Sequence, residues 1–233
     1  MKALLLLLII LIGCAGLSAQ DSTIVTIKPG YKISEVLNPS DIFYYPQYTS
    51  GKVFLRDGSK AIAKMNYNHL TDQMLFIDQK GDTLALADEK NIKLIVVDQD
   101  TFYFDDGYMR LIADNGIMKL TEKKTWQVAD VRKIGAFNKS TNTVAITSLA
   151  SYTDRGRAKS YDLLASEDLL IRKESQYYFG DQYNNFGLAG KKKLLQLFPK
   201  EHLILENYLK ENKVNFENRE DLKKIVQFLA QHR

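Results

Sequence analysis

Six aspartates stand in close pairs in the first half of the chain: Asp78 with Asp82, Asp98 with Asp100, and Asp105 with Asp106. Residues two apart in a strand share a face, so Asp98 and Asp100 have the spacing to share a proton or hold a hard cation such as calcium. Aspartate is equally a turn residue, and all six flank turn signals, so turn formation is the simpler reading. The Asp98-Gln99-Asp100 stretch has neither the Gly nor the distal Glu of an EF-hand loop.

Other chemistry is scarcer still. No G-x-S-x-G elbow or H-E-x-x-H helix occurs, and Gly187 to Lys193 has the wrong glycine spacing, and no following Ser or Thr, for a phosphate cradle. The three histidines, His69, His202 and His232, are scattered, and Cys14 is the only cysteine. Thiol catalysis, a thiolate metal site and a histidine triad are therefore excluded as expectations, and no catalytic residue, metal or cofactor is assigned. The remaining candidates are aromatic. Tyr177, Tyr178, Tyr183 and Phe186, beside Asn184 and Asn185, have the mix of rings, hydroxyls and amides that lines a sugar- or peptide-binding surface. The same tyrosines also suit a sheet surface, and Trp126 reads as a core anchor.

The elements that must position these residues change character along the chain. From about Thr23 to Ala136 apolar and aromatic runs recur with a period near two. Asp57-Gly58, Gly81-Asp82, Asp106-Gly107 and Asn115-Gly116 separate them as tight-turn signals. These predict an antiparallel meander, curled into a barrel-like or sandwich sheet. Residues 137–187 are harder to read, with Gln176–Phe186 suiting an extended segment ending in a loop. After Gly190 the period becomes helical: Leu205, Tyr208 and Leu209 stand at i, i+3, i+4, and Leu222, Ile225, Val226 and Leu229 at i, i+3, i+4, i+7. Asn218 before Glu220 and Asp221 predicts an N-cap with acids in the first turn. The fold class is thus α+β and β-rich, with a sheet domain at 20–187 and a helical C-terminal unit at 188–233.

Residues 1–19 read as a signal peptide: Met1-Lys2, an apolar run from Ala3 to Ile12, and Leu17-Ser18-Ala19 before Gln20. An alternative is lipoprotein processing at Leu11-Ile12-Gly13-Cys14, which would lipidate Cys14 and tether the chain to a membrane. The expected location is the periplasm or outside the cell, with an outer-membrane lipoprotein as the alternative. Charge is uneven: residues 20–114 carry 10 Lys and Arg against 14 Asp and Glu, while 115–233 carry 21 against 14. The basic residues are interleaved with acids, so nucleic acid is not expected as a partner.

The block Gly51–Gly58 with Met65–Asn68 and Gly81–Leu84, and the tail Leu194–Pro199 with Tyr208–Lys213, resemble exported cell-envelope proteins of the Bacteroidota. That resemblance implies an envelope location and transfers no catalytic residue. The expected function is a non-enzymatic binding or assembly module with a protein or glycan partner in the envelope. A carboxylate-dependent hydrolase using Asp98, Asp100, Asp105 or Asp106 is one alternative. A structural envelope component, with Leu205, Leu209, Ile225 or Leu229 exposed for another subunit, is the other.

Overall fold

The computed structural model describes residues 24–134, 140–142 and 168–232; residues 1–19, read above as a signal peptide, and Cys14 lie outside them. The described chain opens with β1 (Ile24–Ile27) and two single-turn helices, α1 (Ile33–Val36) and α2 (Pro39–Ile42). A meander follows: β2 (Thr49–Leu55), β3 (Lys60–Asn68), β4 (Gln73–Ile77), β5 (Thr83–Ala85), β6 (Ile92–Val97), β7 (Asp100–Phe104), β8 (Tyr108–Asp114) and β9 (Met118–Ile134). Then come β10 (Ser140–Asn142), β11 (Asp168–Asp181), β12 (Phe186–Leu188), and helices α3 (Lys191–Leu197), α4 (His202–Glu211) and α5 (Arg219–Gln231).

All twelve strands belong to one antiparallel sheet, ordered β1-β11-β9-β8-β7-β6-β2-β3-β4-β5, with β10 on β9 and β12 on β11. The sheet is β-rich α+β as the sequence predicts, but it is not closed. It curls instead, bringing the end of β3 and the β3–β4 turn against the middle of β9. There the Trp126 amide donates to His69 O at 3.4 Å, the Tyr67 hydroxyl to Lys124 O at 3.3 Å, and Lys123 Nζ meets Asp72 at 2.9 Å.

The turns form where the sequence signals place them. Gly58, Gly81, Gly107 and Gly116 take φ of 89°, 89°, 124° and 84°, a region an L side chain rarely adopts. Asp98 and Asp106 also sit in left-handed turn geometry, at φ 53° and 49°. One segment departs from expectation. Ile42–Tyr45 reads as a strand, yet Pro39 opens α2, which holds Ile42, and Phe43 makes only an isolated bridge with Asn68.

One sheet face carries two cores. Near β1, Ile27, Trp126, Val128 and Ile171 pack under Ile33, Leu37 and Ile42 of the α1–α2 segment. Trp126 is fully buried and its indole N–H donates to Asp41 O at 2.9 Å. Further along, Met118, Leu120 and Phe179 of the sheet are covered by Leu194, Leu205, Leu222, Ile225, Val226 and Leu229 of the helices. The apolar helix faces are thus used on this chain's own sheet: Leu205 and Ile225 are fully buried, and Leu209 is packed against the same core. The exposure that would mark these residues as a contact for another subunit is not there.

Asn218 caps α5 as its sequence predicts, its side chain accepting from the amides of Glu220 at 3.0 Å and Asp221 at 3.1 Å. Asn218→Ala is expected to cost about 1 kcal/mol, read as a lower urea midpoint at unchanged slope.

Candidate functional site

β9 and β11 run side by side from Met118/Asp181 to Arg132/Asp168, so side chains pair across them in a fixed register. On the core-bearing face the order along the strands is Leu120/Phe179, Glu122/Tyr177, Lys124/Ser175, Trp126/Lys173. Leu120, Phe179 and Tyr177 belong to the helix-covered core and Trp126 to the α1–α2 core, while the remaining residues of these pairs are polar. Between the helix-covered core and the α1–α2 core this face thus carries a short belt of polar side chains, Glu122, Lys124, Ser175 and Lys173.

A cleft of about 560 Å³ follows this belt, lined by β11 from Arg172 to Tyr177 and by Leu188, Ala189, Phe216 and Glu217. That volume falls in the range of sites holding a small ligand or a short stretch of chain. Lys173 lies 5.8 Å from the centre of the Trp126 ring and donates to Asp41 O at 3.3 Å. Its burial pulls the ammonium pKa down, partly offset by Asp41, with Lys124 lowering it further. Leu188 is 57% exposed at the cleft wall. Phe216 packs edge-on against Phe179, which ties that wall to the helical core.

Across the β9–β11 ladder from Tyr177 is a buried charge network centred on Glu122. Arg110 of β8 reaches Glu122 at 3.0 Å and Asp100 at 3.2 Å, and its guanidinium lies 5.3 Å from the Tyr44 ring centre. Lys124 approaches Glu122 from the other side at 3.6 Å, and the Tyr45 hydroxyl donates to Asp100 at 2.9 Å. Tyr177 stands opposite Glu122, and burial, then the neighbouring Glu122 charge, raises its phenol pKa. A cavity of about 10 Å³ between Tyr44, Tyr67, His69, Phe102, Arg110, Glu122 and Lys124 has room for about one water.

The structure distributes the sequence candidates in three ways. Tyr177 lines the cleft, though it is 91% buried there and shows little ring face. Tyr178 points to the opposite face, where it packs with Tyr103, Met109 and Phe186 and its hydroxyl donates to Gln176 at 3.1 Å. Phe186 is buried against Tyr103, with ring centres 5.2 Å apart, and covers Gly180, where an added Cβ would lie 2.4 Å from its ring. Tyr183 is 75% exposed at the tip of the β11–β12 turn, away from the other three. The four do not form one aromatic surface. Cys14 is outside the described residues.

The paired carboxylates do not converge either. Asp78 accepts from the amides of Lys80 and Asp82, both at 2.8 Å, and so holds its own turn. Asp98 and Asp106 occupy turns, while Asp100 is held by Arg110 and Tyr45. Among the described residues no group of three or more His, Cys, Asp or Glu is placed to hold a metal ion, and no helix is long and apolar enough to cross a membrane. Glu122 and Arg110, which sequence reasoning passed over, form a buried ion pair next to Tyr177 of the cleft lining. Their only advance signal is that charged residues alternate into an otherwise apolar strand run.

No family model, no curated protein and no solved structure matches this chain.

Proposed function

We propose that this protein is an exported, non-enzymatic binding module of the cell envelope, and that it holds an extended segment of a protein partner in the cleft along β11. The observation that carries this reading is the cleft itself, a 560 Å³ trough with strand backbone along one side and the exposed Leu188 and partly exposed Phe216 on the other. An extended peptide offers what such a trough can use: main-chain hydrogen bonds along a strand and alternate side chains for apolar contacts. A glycan is the weaker match, because stacking on sugars needs presented ring faces and Tyr177 and Phe186 are buried. The hydrolase alternative lacks a converging carboxylate pair, since Asp100 is committed to an ion pair and its neighbours to turns. Tethering through Cys14 is compatible with this reading.

The test is selection of displayed random dodecapeptides on the full chain, with Leu188→Asp as counter-target. Leu188 is exposed, so its replacement leaves the fold intact. Peptides are expected that bind the wild type and lose at least tenfold in affinity on the variant, in line with about 1.5 kcal/mol or more for one buried leucine contact. Peptides insensitive to Leu188→Asp, or none at all, would overturn the assignment.

A further inference from the structure

Strands β2 to β6 carry four lysines, Lys52, Lys60, Lys64 and Lys93, and no aspartate or glutamate. They lie in a half of the chain where acids outnumber bases, 14 against 10. The acids of this stretch sit in the connections: Asp57, Asp72, Asp78, Asp82, Asp88 and Asp98 all fall between strands. The strands themselves therefore present cations with no acid of their own.

Three of the four lysines share one face. In the β2–β3 ladder Lys52 stands opposite Ile62, Phe54 opposite Lys60 and Ser50 opposite Lys64. Strand alternation puts these six side chains on the side away from Val53 and its core. Ile62, 71% exposed, is thus ringed by exposed lysines, with Lys52 about 5 Å across the ladder and Lys60 and Lys64 about 7 Å away along its own strand. The ammoniums of Lys52 and Lys60 lie 5.9 Å and 5.6 Å from the centre of the half-buried Phe54 ring, so both stems lean over it. β4 pairs with β3 only from Lys64 onward, and among the described residues no strand flanks Ile62 on that side. Among them, too, no carboxylate is within ion-pair distance of Lys52, Lys60 or Lys64.

We infer that this face docks on an anionic membrane surface, with Ile62 entering the headgroup layer and Lys52, Lys60 and Lys64 meeting lipid phosphates. Charge complementarity and the exposed isoleucine together select this partner. A soluble polyanion would engage the lysines and leave Ile62 in water, and an uncharged apolar partner would strip water from three ammoniums and offer them nothing. A bilayer of acidic lipids supplies phosphates at the level of the ammoniums and an acyl boundary just beneath for the side chain between them. The site is separate from the cleft. Val53, Ile95, Phe102, Arg110, Glu122 and Tyr177 follow one another across the ladders on the other face, so the membrane patch and the cleft share no side chain.

The test is co-sedimentation of the chain, exported from its own signal and carrying Cys14→Ser so that no acyl group at that residue contributes, with sucrose-loaded vesicles. Vesicles of phosphatidylcholine and phosphatidylglycerol in equal parts are expected to carry the protein down, and pure phosphatidylcholine vesicles to do so at least tenfold more weakly, since about fivefold is lost for each cation left without anionic lipid. Lys52→Gln is expected to weaken partitioning about fivefold. Lys93→Gln makes the same change of charge at an exposed position on the Ile95 side of β6 and is expected to leave partitioning unchanged. Ile62→Thr keeps a β-branched residue at an exposed strand position, so the fold is retained, and is expected to cost about fivefold. The urea midpoint of each variant checks its folding. Equal sedimentation with both kinds of vesicle, or none with the acidic ones, would overturn the inference. So would equal losses for Lys52→Gln and Lys93→Gln, which mark net charge alone, or full binding by Ile62→Thr, which marks a site for a soluble polyanion.

Discussion

Replacing Arg110 with alanine is expected to lower folding stability by about 3 to 5 kcal/mol, the cost of leaving a buried charge without its partner. The Glu122 side chain is only 4% exposed, and Arg110 is its closer cation at 3.0 Å, with Lys124 at 3.6 Å. Asp100 loses the same guanidinium at 3.2 Å, and the Tyr44 ring loses its cation neighbour. Breaking one side of such a network is costlier than removing both. Arg110→Met with Glu122→Gln removes the buried pair together, and the double variant is therefore expected to recover most of the loss. Urea unfolding of Arg110→Met, Glu122→Gln and the double variant completes the cycle. A single-variant loss below about 1 kcal/mol would show that the network is solvated and that Glu122 is not a buried charge.

Acid sensitivity is expected to centre on His69. Burial first, then the nearby Lys173, Lys124 and Arg110 charges, pull its pKa down to about 3, opposed by the hydrogen bond between its Nδ1 and Lys124 O at 3.1 Å. The carbonyl can only accept, so Nδ1 carries the proton of the neutral ring. In the unfolded chain a histidine titrates near 6.5, so between about pH 6.5 and pH 3 the unfolded state binds more protons than the folded one. The contribution of the neutral ring is therefore complete above pH 6.5 and is lost as pH falls, at up to about 1.4 kcal/mol per unit. His69→Asn keeps a donor near Lys124 O and removes the titration. From pH 7 to pH 5 the wild type is expected to lose about 2 kcal/mol more than this variant, measured as the difference between their urea midpoints. Parallel stability profiles for the two proteins would contradict the assignment.

The sheet was legible because its signals are local. Period-two runs and the Gly58, Gly81, Gly107 and Gly116 turns set strand positions from a few neighbouring residues, and the α5 cap at Asn218 is equally local. What was not legible depends on register between distant strands. Glu122 meets Arg110 across one ladder and Tyr177 across another, and neither pairing can be read without knowing the sheet order. The aromatic candidates failed as a group for a local reason, the alternation of a strand. Tyr177 and Tyr178 are adjacent in sequence, so strand alternation sends them to opposite faces, one to the cleft and one to the Tyr103–Phe186 cluster. Ile42–Tyr45 reads as extended because it is rich in strand formers; at Ile42, Pro39 and burial against Trp126 override that propensity.

The most direct test of the cleft as the binding site is amide hydrogen exchange of the wild-type chain with and without a peptide taken from the dodecapeptide selection. The account predicts new protection confined to Arg172–Tyr177, Leu188–Ala189 and Phe216–Glu217, the lining of the trough. Protection instead around the Asp98–Asp106 turns, or spread over the exposed Tyr183 tip with the trough unchanged, would contradict it.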